Sequence, residues 1–302
     1  MFELVAENLH FSEGPRWHQN KLWFSDFYQH AVFSIDEQGI LEKVVDIPNQ
    51  PSGLGWMPDG SMLIVSMLDR KVMKFKEGQL SVHADLSQLT AFRCNDMVVD
   101  EIGNAYVGNF GSLYHAKNIK PTCLIFVNVN GDAKIIERNF DFPNGTVITP
   151  DGKKMIIGET YGGRLTSFDI NSDGSLTNRQ IWAQMMPTSY YLLTKIVRAL
   201  KIPVKEGRAT PYPVPDGICL DDHNGVWVAS PTTSEVIRYT QGGEVTQRIT
   251  TPDRAYACML GGKTGTTLFI STAKTSDPEI ASREKNGKIY STEVEYPRAG
   301  KP

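Results

Sequence analysis

A short segment occurs six times along the chain, and this internal repeat limits the folds that are open to it. The clearest copies are residues 58–66 (PDGSMLIVS) and 150–158 (PDGKKMIIG), and looser copies begin at residues 18, 101, 222 and 262. Each copy is a Gly, Asn or Asp turn followed by a short run of β-branched or aromatic residues, which is typical of a β-hairpin. The chain is therefore predicted to be all-β and built from repeated hairpins.

A characteristic tripeptide precedes each copy and sets the spacing of the repeats. Its middle residues, separated by 39, 43, 49, 72 and 42 positions, are Glu13, Ser52, Asn95, Asn144, Asp216 and Cys258. Units of this length with about four strands each predict a six-bladed β-propeller, with a two-sheet sandwich as the alternative. We expect a single domain over residues 1–302, closed by pairing of an N-terminal strand at residues 2–5 with C-terminal strands around residues 287–294.

The composition agrees with a globular chain and excludes several classes of protein. Hydrophobic residues make up 40% and charged residues 22% of the 302 positions, which argues against disorder and coiled coils. The net charge of −3 provides no basic field for nucleic acid. No apolar run approaches the roughly 18 residues that span a bilayer. Four widely spaced cysteines and an N-terminus without a secretory signal pattern predict a cytoplasmic protein with reduced thiols.

The interval of 72 residues contains an insertion at about residues 183–213, for which a short helix before the fifth tripeptide is predicted. Its apolar residues share one helical face, opposite the basic ones; they are Leu192, Leu193, Ile196, Val197 and Leu200. Five Lys or Arg and one Glu give the insertion a charge of +4, which leaves −7 for the rest of the chain. The helix either packs on the propeller rim or forms a lid lined by Tyr190, Tyr191 and Leu192. A membrane-surface contact and an oligomer contact are further alternatives.

Equivalent positions of the six blades converge on one end of the propeller axis, because the innermost strand of each blade runs along the central channel. Two of the middle residues are carboxylates, Glu13 and Asp216, and two are amides, Asn95 and Asn144. At one point these groups would repel or stay unsatisfied without a cation between them. They therefore predict a metal site, most simply for Ca²⁺, since the donors are oxygen atoms. The alternative interpretation is that Asn, Asp and Gly simply form turns here.

Four segments resemble the signature segments of the SMP-30/gluconolactonase/luciferin-regenerating-enzyme-like family. They are residues 12–17 (SEGPRW), 93–100 (RCNDMVVD), 142–152 (FPNGTVITPDG) and 214–221 (VPDGICLD). The last repeat, at residues 254–259 and 268–272, is similar to the closing blade of that family. The resemblance spans nearly the whole chain apart from the insertion. It implies a six-bladed propeller with one catalytic divalent metal on its axis and hydrolysis of lactones; related propellers hydrolyse organophosphorus esters.

The resemblance also implies roles for single residues. Glu13, Asn144 and Asp216 match the metal ligands of the family, and Asn95 matches an asparagine that binds metal or substrate. Arg93 matches an arginine that contacts polar substrate in the sugar-lactone members. The ion would be Ca²⁺ or else Zn²⁺, Mn²⁺ or Mg²⁺.

One segment departs from the sugar-lactone members. Residues 109–113 (NFGSL) stand where those members carry acidic, polar substrate contacts. With other apolar residues near the expected channel mouth, this segment favours a more apolar ester or lactone. The predicted substrate contacts are Arg93, Asn95, Asn109, Phe110, Met67, Tyr190 and Tyr191. Among the six histidines, His115 is the candidate for a role at the site.

The expected reaction is metal-assisted hydrolysis, with Asp216, Asn95 and Arg93 as the catalytic residues. The cation would polarise the carbonyl, and Asp216 would either accept a proton from the attacking water or attack directly. Asn95 and Asn144 would orient the substrate through their amide N–H groups. Two alternatives stay open: phosphotriester hydrolysis at the same metal, and a non-catalytic propeller in which the metal holds the blades together and the rim binds a protein partner.

Overall fold

Six antiparallel sheets follow one another along the chain and are arranged as the blades of a β-propeller. The computed structural model describes residues 1–112, 120–200 and 210–302, without the side chain of Arg198. The described helices are two short ones, so the prediction of an all-β, six-bladed propeller with a helical insertion is confirmed. Six separate sheets exclude the two-sheet sandwich.

The first three blades each consist of four strands, in chain order from the innermost to the outermost. The chain starts with β1 (Glu3–Leu9), which belongs to the last blade. Blade 1 consists of β2 (Ser12–His18), β3 (Lys21–Asp26), β4 (Ala31–Ile35) and β5 (Leu41–Asp46). Blade 2 consists of β6 (Pro51–Trp56), β7 (Met62–Ser66), β8 (Lys71–Lys76) and β9 (Gln79–Asp85). Blade 3 consists of β10 (Cys94–Val99), β11 (Ala105–Asn109), β12 (Thr122–Val127) and β13 (Ala133–Phe140).

The last three blades carry the helices and the C-terminal strand. Blade 4 consists of β14 (Pro143–Ile148), β15 (Lys154–Glu159), a 3₁₀ turn (Thr160–Gly162), β16 (Arg164–Ile170) and β17 (Leu176–Gln184), and is followed by α1 (Thr188–Ala199). Blade 5 consists of β18 (Ile218–Asp221), β19 (Val226–Ser230), β20 (Glu235–Tyr239) and β21 (Val245–Thr250). Blade 6 consists of β22 (Arg254–Gly261), β23 (Thr267–Ala273), α2 (Pro278–Glu284) and β24 (Gly287–Glu293), and β25 (Arg298–Ala299) follows.

The ring closes by pairing of the two ends of the chain. Strand β1 pairs antiparallel with β24, with Glu3 opposite Ser291 and Leu4 opposite Tyr290. The inner strands β2, β6, β10, β14, β18 and β22 contact one another in sequence, and β22 returns to β2. The predicted closure is confirmed, and it protects an edge strand that would otherwise be open to pairing with another chain.

The inner and middle strands are buried on both faces, which explains why they read as nearly continuous apolar runs. All five residues of β7 are buried, whereas the outermost strand β21 is mostly exposed. Apolar side chains from neighbouring blades share one core, as Trp227 of blade 5, Phe269 of blade 6 and Leu22 of blade 1 do. This packing holds the inner strands at defined positions around the channel.

The inner strands of blades 1 to 4 carry a β-bulge at the same place, at the predicted site residues. The register between β2 and β3 shifts between Glu13 and Arg16, and that between β14 and β15 shifts between Pro143 and Thr146. Blades 2 and 3 shift at the equivalent positions. In each case the inner strand has one extra residue, which re-aims a side chain relative to the regular pleat.

The glycines that follow the site residues permit close approach of neighbouring blades. A Cβ at Gly145 would lie 2.5 Å from the backbone nitrogen of Ile218, and one at Gly53 would lie 2.3 Å from that of Met97. Gly145 lies within strand β14 together with Asn144, so the turn interpretation does not apply to this pair. The two glycines are present because the next blade leaves no room for a side chain.

The Gly145→Ala substitution is expected to lower the free energy of unfolding by about 2–3 kcal/mol relative to the wild type, because the added methyl group meets the backbone of β18. Gly39→Ala is the control. A Cβ there meets nothing within 4 Å, and the cost is that of a φ of +79°, about 1 kcal/mol. Denaturant-induced unfolding measures both values. Equal losses in the two variants would show that the blades do not approach so closely.

The insertion and the C-terminal tail lie at opposite ends of the propeller. Ala183 and Gln184 still belong to β17, so the helical part of the insertion starts later than residue 183, at Thr188. Strand β25 pairs with the end of β18, and Lys301 exchanges two backbone hydrogen bonds with Ile148. The tail therefore crosses the end of the channel away from Asn144 and Asp216, which the repeat did not predict. Within the described ranges, no helix is both long and apolar enough to cross a membrane.

Candidate active site

The predicted metal ligands meet at one end of the channel. Glu13, Asn95 and Asn144 lie at the bulges of β2, β10 and β14, and Asp216 lies just before β18. Asn95 and Asn144 are each 5% exposed, whereas Glu13 and Asp216 are half-buried because they line the channel. The structure thus brings together side chains that are up to 203 positions apart in the chain.

Direct hydrogen bonds connect these side chains from blade to blade. Asn95 Nδ2 donates to Asn144 Oδ1 at 2.9 Å, and Asn144 Nδ2 donates to Asp216 Oδ1 at 2.5 Å. The Ser52 hydroxyl extends the line into blade 2 with a longer bond of 3.4 Å to Asn95 Oδ1. Four neighbouring blades therefore present polar groups to the same point on the axis.

The two carboxyl groups are electrostatically unfavourable in their surroundings. Desolvation by the surrounding protein raises the pKa of Glu13 well above its ordinary range, and the nearby Asp216 carboxylate raises it further. Burial raises the pKa of Asp216 to about 8, although the hydrogen bond from Asn144 acts in the opposite direction. Both groups would be stabilised as carboxylates by a cation between them.

A buried ion pair supports the site from below, and sequence reasoning missed it. The Arg16 guanidinium donates to Asp96 Oδ1 at 2.5 Å and to the backbone oxygens of Leu54 and Met97 at 3.0 and 2.8 Å. Both side chains are nearly inaccessible, at 4% and 11% exposure. The pair ties together blades 1, 2 and 3 beneath Glu13 and Asn95. The sequence contained a hint of this pair, because Arg16 and Asp96 both lie in the signature segments.

Aromatic residues line the side of the site toward blades 6 and 1. Phe11 packs edge-on against Tyr256 at 4.7 Å between ring centroids and lies 5.6 Å from Tyr28. The Tyr28 hydroxyl donates to the backbone oxygen of Ser276 at 2.6 Å, and burial raises the pKa of Tyr28. The charge of Glu13 contributes to raising the pKa of Tyr28. Phe11 and Tyr256 each lie two residues before the middle residue of their tripeptide, whereas Tyr28 lies between β3 and β4, and only the fold shows that it joins them.

A second aromatic group lies toward blades 3 and 4 and includes one predicted substrate contact. Phe110 stacks on Phe142 at 4.7 Å, and Phe142 packs against Tyr161 at 5.1 Å. Phe142 has a φ of +65°, a strained value for an aromatic residue, two positions before Asn144. Arg93 is half-buried, its backbone oxygen accepts from the nitrogen of Phe110, and its charge lowers the pKa of Tyr28. Phe110 and Arg93 therefore lie near the site.

Two other predicted contacts are buried. Met67 is 1% exposed and belongs to an apolar cluster with residues from blades 1, 2, 3 and 6, among them Tyr256. Asn109 is fully buried, where its amide nitrogen donates to the Cys123 backbone oxygen at 2.8 Å and its oxygen accepts from Thr122. Neither side chain presents surface to a ligand in this structure, so their substrate roles stay predictions. His115 lies outside the described residues.

The two tyrosines of the insertion serve to attach it to the propeller. The Tyr191 hydroxyl donates to Asp141 Oδ2 at 2.5 Å, and the Tyr190 ring packs against Tyr212 at 5.0 Å. Tyr191 is 9% exposed in a small cluster with Met186 and Val214. Because Asp141 precedes Asn144 by three residues, the helix lies at the site end of blade 4. The substrate contacts of both tyrosines stay predictions.

The donor set fits a hard cation. It consists of two carboxylates and two amides, and an amide can present its oxygen by a half-turn of its terminal group. In the part of the chain that the structure describes, no three His, Cys, Asp or Glu side chains form a metal-binding group. A site rich in nitrogen or sulfur donors is therefore not seen there, whereas oxygen donors suit Ca²⁺ and Mg²⁺.

Comparison with known proteins identifies the family. The model of the SMP-30/Gluconolactonase/LRE-like region matches residues 11–274. The chain belongs to this family. The resemblance predicted from the four signature segments is thereby confirmed.

Relatives that match nearly the whole chain include proteins whose names describe two kinds of hydrolysis. The 6-deoxy-6-sulfogluconolactonase of Pseudomonas putida is 23% identical over 96% of this chain and 93% of its own length. The diisopropyl-fluorophosphatase of Loligo vulgaris is 22% identical over 95% and 94%. The structure of regucalcin, a calcium-binding protein from Agrobacterium tumefaciens, has a TM-score of 0.75 at 19% identity, covering 99% of this chain and 94% of its own. The likeness to regucalcin shows that the family fold is shared.

Proposed function

We propose that this protein is a metal-dependent hydrolase that opens a lactone or a related carboxylic ester. The observation that carries the proposal is the hydrogen-bonded line of Asn95, Asn144 and Asp216, to which Glu13 is added across the channel. Membership of a family with lactonase relatives supports the same reaction class. The calcium-binding relative supports Ca²⁺ as the ion.

The ion would be held by Glu13, Asn95, Asn144 and Asp216. When bound, it supplies Lewis-acid polarisation of the substrate carbonyl and compensates the negative charge that develops on its oxygen. The chain contributes the arrangement of the donors. Bulged inner strands and close blade contacts fix the donors before substrate arrives, so little reorganisation accompanies the reaction.

Asp216 would carry the proton transfers. Asn144 holds its Oδ1, and the other oxygen of the carboxylate would accept a proton as water attacks the carbonyl carbon. The ester C–O bond then breaks, and Asp216 returns the proton to the departing oxygen, which gives a hydroxy acid. The alternative is direct attack by Asp216 on the carbonyl carbon, which breaks the ester C–O bond, releases the alkoxy oxygen as an alcohol and leaves an acyl anhydride on Asp216 that water hydrolyses. Single turnover in ¹⁸O-water labels the carboxyl group of Asp216 only by this second route, when water attacks the anhydride at the Asp216 carbon.

The substrate is proposed to be less polar than a sugar acid lactone. Aromatic rings border the site on two sides, with Phe11, Tyr28 and Tyr256 on one and Phe110 and Phe142 on the other. Such walls favour an apolar acyl or alkoxy group. Arg93, which is half-buried beside Phe110, would hold a polar group of the substrate.

A phosphotriester is the second candidate substrate, because the fluorophosphatase from Loligo vulgaris matches nearly the whole chain. The same ion would polarise a P=O bond in place of a carbonyl. A turnover panel separates the candidates. It contains an alkyl lactone, a sugar acid lactone, a phenyl ester and a phosphotriester.

We expect chelated protein to be inactive on this panel and Ca²⁺ to restore turnover, with a higher kcat/KM for the alkyl lactone than for the sugar lactone. Preference for the phosphotriester would select the second candidate. Full activity in metal-stripped protein would refute metal dependence. No turnover of any compound with metal present would favour the non-catalytic propeller.

A further inference from the structure

Helix α1 is attached to the propeller through its polar face. The Tyr191 hydroxyl donates to Asp141, and Lys195 Nζ lies 3.5 Å from the same carboxylate oxygen. The Lys195 nitrogen also lies 4.8 Å from the centre of the Tyr191 ring. These contacts place Tyr191 and Lys195 on the side of the helix that faces blade 4. An amphipathic helix on a globular protein normally turns its apolar face inward instead.

The apolar face of the same helix is turned to the outside. Leu192 and Leu193 are each 53% exposed, Ile196 is 55% exposed and Leu200, directly after the helix, is 66% exposed. Counted from Leu192, the other three lie one, four and eight positions further on, so all four share one stripe of the helix, opposite Tyr191 and Lys195. Four adjacent large apolar side chains in water are unfavourable and indicate a surface that is covered by another body.

The charge of this part of the sequence indicates what covers the stripe. Besides Lys195, which faces Asp141, residues 196–208 contain four Lys or Arg and one Glu, in a chain whose net charge is −3. Docking of a second copy through the same face would bring two such basic segments together, and like charges oppose that contact. An anionic lipid surface complements the segment, since apolar side chains enter the interface while basic ones remain among the headgroups.

We propose that the outer face of α1, formed by Leu192, Leu193, Ile196 and Leu200, docks on an anionic lipid surface. The remainder of the chain carries a charge of −7 and is repelled by such a surface, so docking has a preferred orientation. Asp141, to which α1 is bound, lies three residues before Asn144. Docking therefore turns the site end of the channel toward the lipid. The proposal does not depend on the hydrolase activity.

Sedimentation of the full-length protein with vesicles tests this proposal. At low salt, we expect the partition coefficient for phosphatidylcholine vesicles containing phosphatidylserine to be about tenfold or more above that for phosphatidylcholine alone, and to fall as salt is added. Leu193→Glu and Ile196→Glu should each lower binding to the anionic vesicles by about tenfold. Both residues are exposed, and thermal unfolding checks that the variants are folded.

Ile102→Glu is the matched control. Ile102 is 63% exposed in the hairpin between β10 and β11, at the end of the propeller away from α1, and its substitution should leave vesicle binding unchanged. Equal binding to both kinds of vesicle, or unaltered binding of the α1 variants, would overturn the proposal. So would a dimer in solution that Ile196→Glu dissociates while no vesicle binding is seen. Because no turnover is measured, failure here is distinct from failure of the proposed enzyme function.

Discussion

The Asp216→Asn variant is expected to keep its fold and to lose about 10³-fold in kcat on the best lactone or ester substrate. The amide still fits beside Asn144, but it can neither accept the proton of the attacking water nor attack the carbonyl. It also removes one negative ligand of the ion, so a higher concentration of Ca²⁺ should be needed for the residual activity. Steady-state kinetics at saturating Ca²⁺ separates the loss in kcat from the loss in metal affinity.

Asp173→Asn makes the same chemical change at a distance from the site. Asp173 is exposed in the turn before β17, at the end of blade 4 away from Asn144, and its substitution should leave kcat unchanged. Circular dichroism and thermal unfolding of both variants establish that they are folded. If Asp216→Asn retained a kcat near that of the wild type, Asp216 would not be the catalytic carboxylate.

Metal-free protein is expected to lose thermal stability as the pH rises from about 4 to about 8. The pKa of Asp216 is about 8 in the folded protein and about 3.9 in an unfolded chain, so the folded state holds a proton that the unfolded state has lost. Glu13 is shifted in the same direction. The free energy of unfolding therefore decreases across this range. We expect the Tm at pH 8 to be about 5 °C or more below that at pH 5.5.

Ca²⁺ should reverse this trend, because the ion binds the carboxylates and competes with their protons. Its addition is expected to raise the Tm more at pH 8 than at pH 5.5. Other carboxyl groups also titrate in this range, and the double variant Glu13→Gln/Asp216→Asn controls for them. A wild type and a double variant with the same pH dependence of Tm would show that these two groups do not destabilise the metal-free fold.

The architecture and the meeting of the polar side chains on the axis followed from the repeat, and the reason is geometric. Each blade repeats the same backbone path, so residues at equivalent positions, such as Asn95, Asn144 and Asp216, must approach one another around the axis. The closing strand was predictable for the same reason, since the last repeat has too few strands unless the N-terminal segment pairs with β24. These conclusions needed periodicity alone.

The walls of the site followed from the repeat only in part. Phe11 and Tyr256 each lie two residues before the middle residue of their tripeptide, so the repeat brings both to the site end of blades 1 and 6. Tyr28 lies between β3 and β4, and only the packing of blades 6 and 1 brings its ring to 5.6 Å from that of Phe11. Conversely, Met67 and Asn109 lie at the site end of the second strand of their blades, but both side chains are buried. Whether a side chain near the axis reaches the channel depends on the bulge and on neighbouring side chains, which periodicity does not specify.

By itself, the sequence determined the number of blades, the closure of the ring and the convergence of four polar side chains on its axis, because a repeated local pattern imposes an equally repeated arrangement in space. Only the tertiary structure decided which face of α1 is covered. Amphipathicity divides the helix into two faces but does not determine which face packs against the propeller. A long-range contact, between Tyr191 and Asp141 fifty residues apart, turned the polar face inward and left Leu192, Leu193 and Ile196 outside.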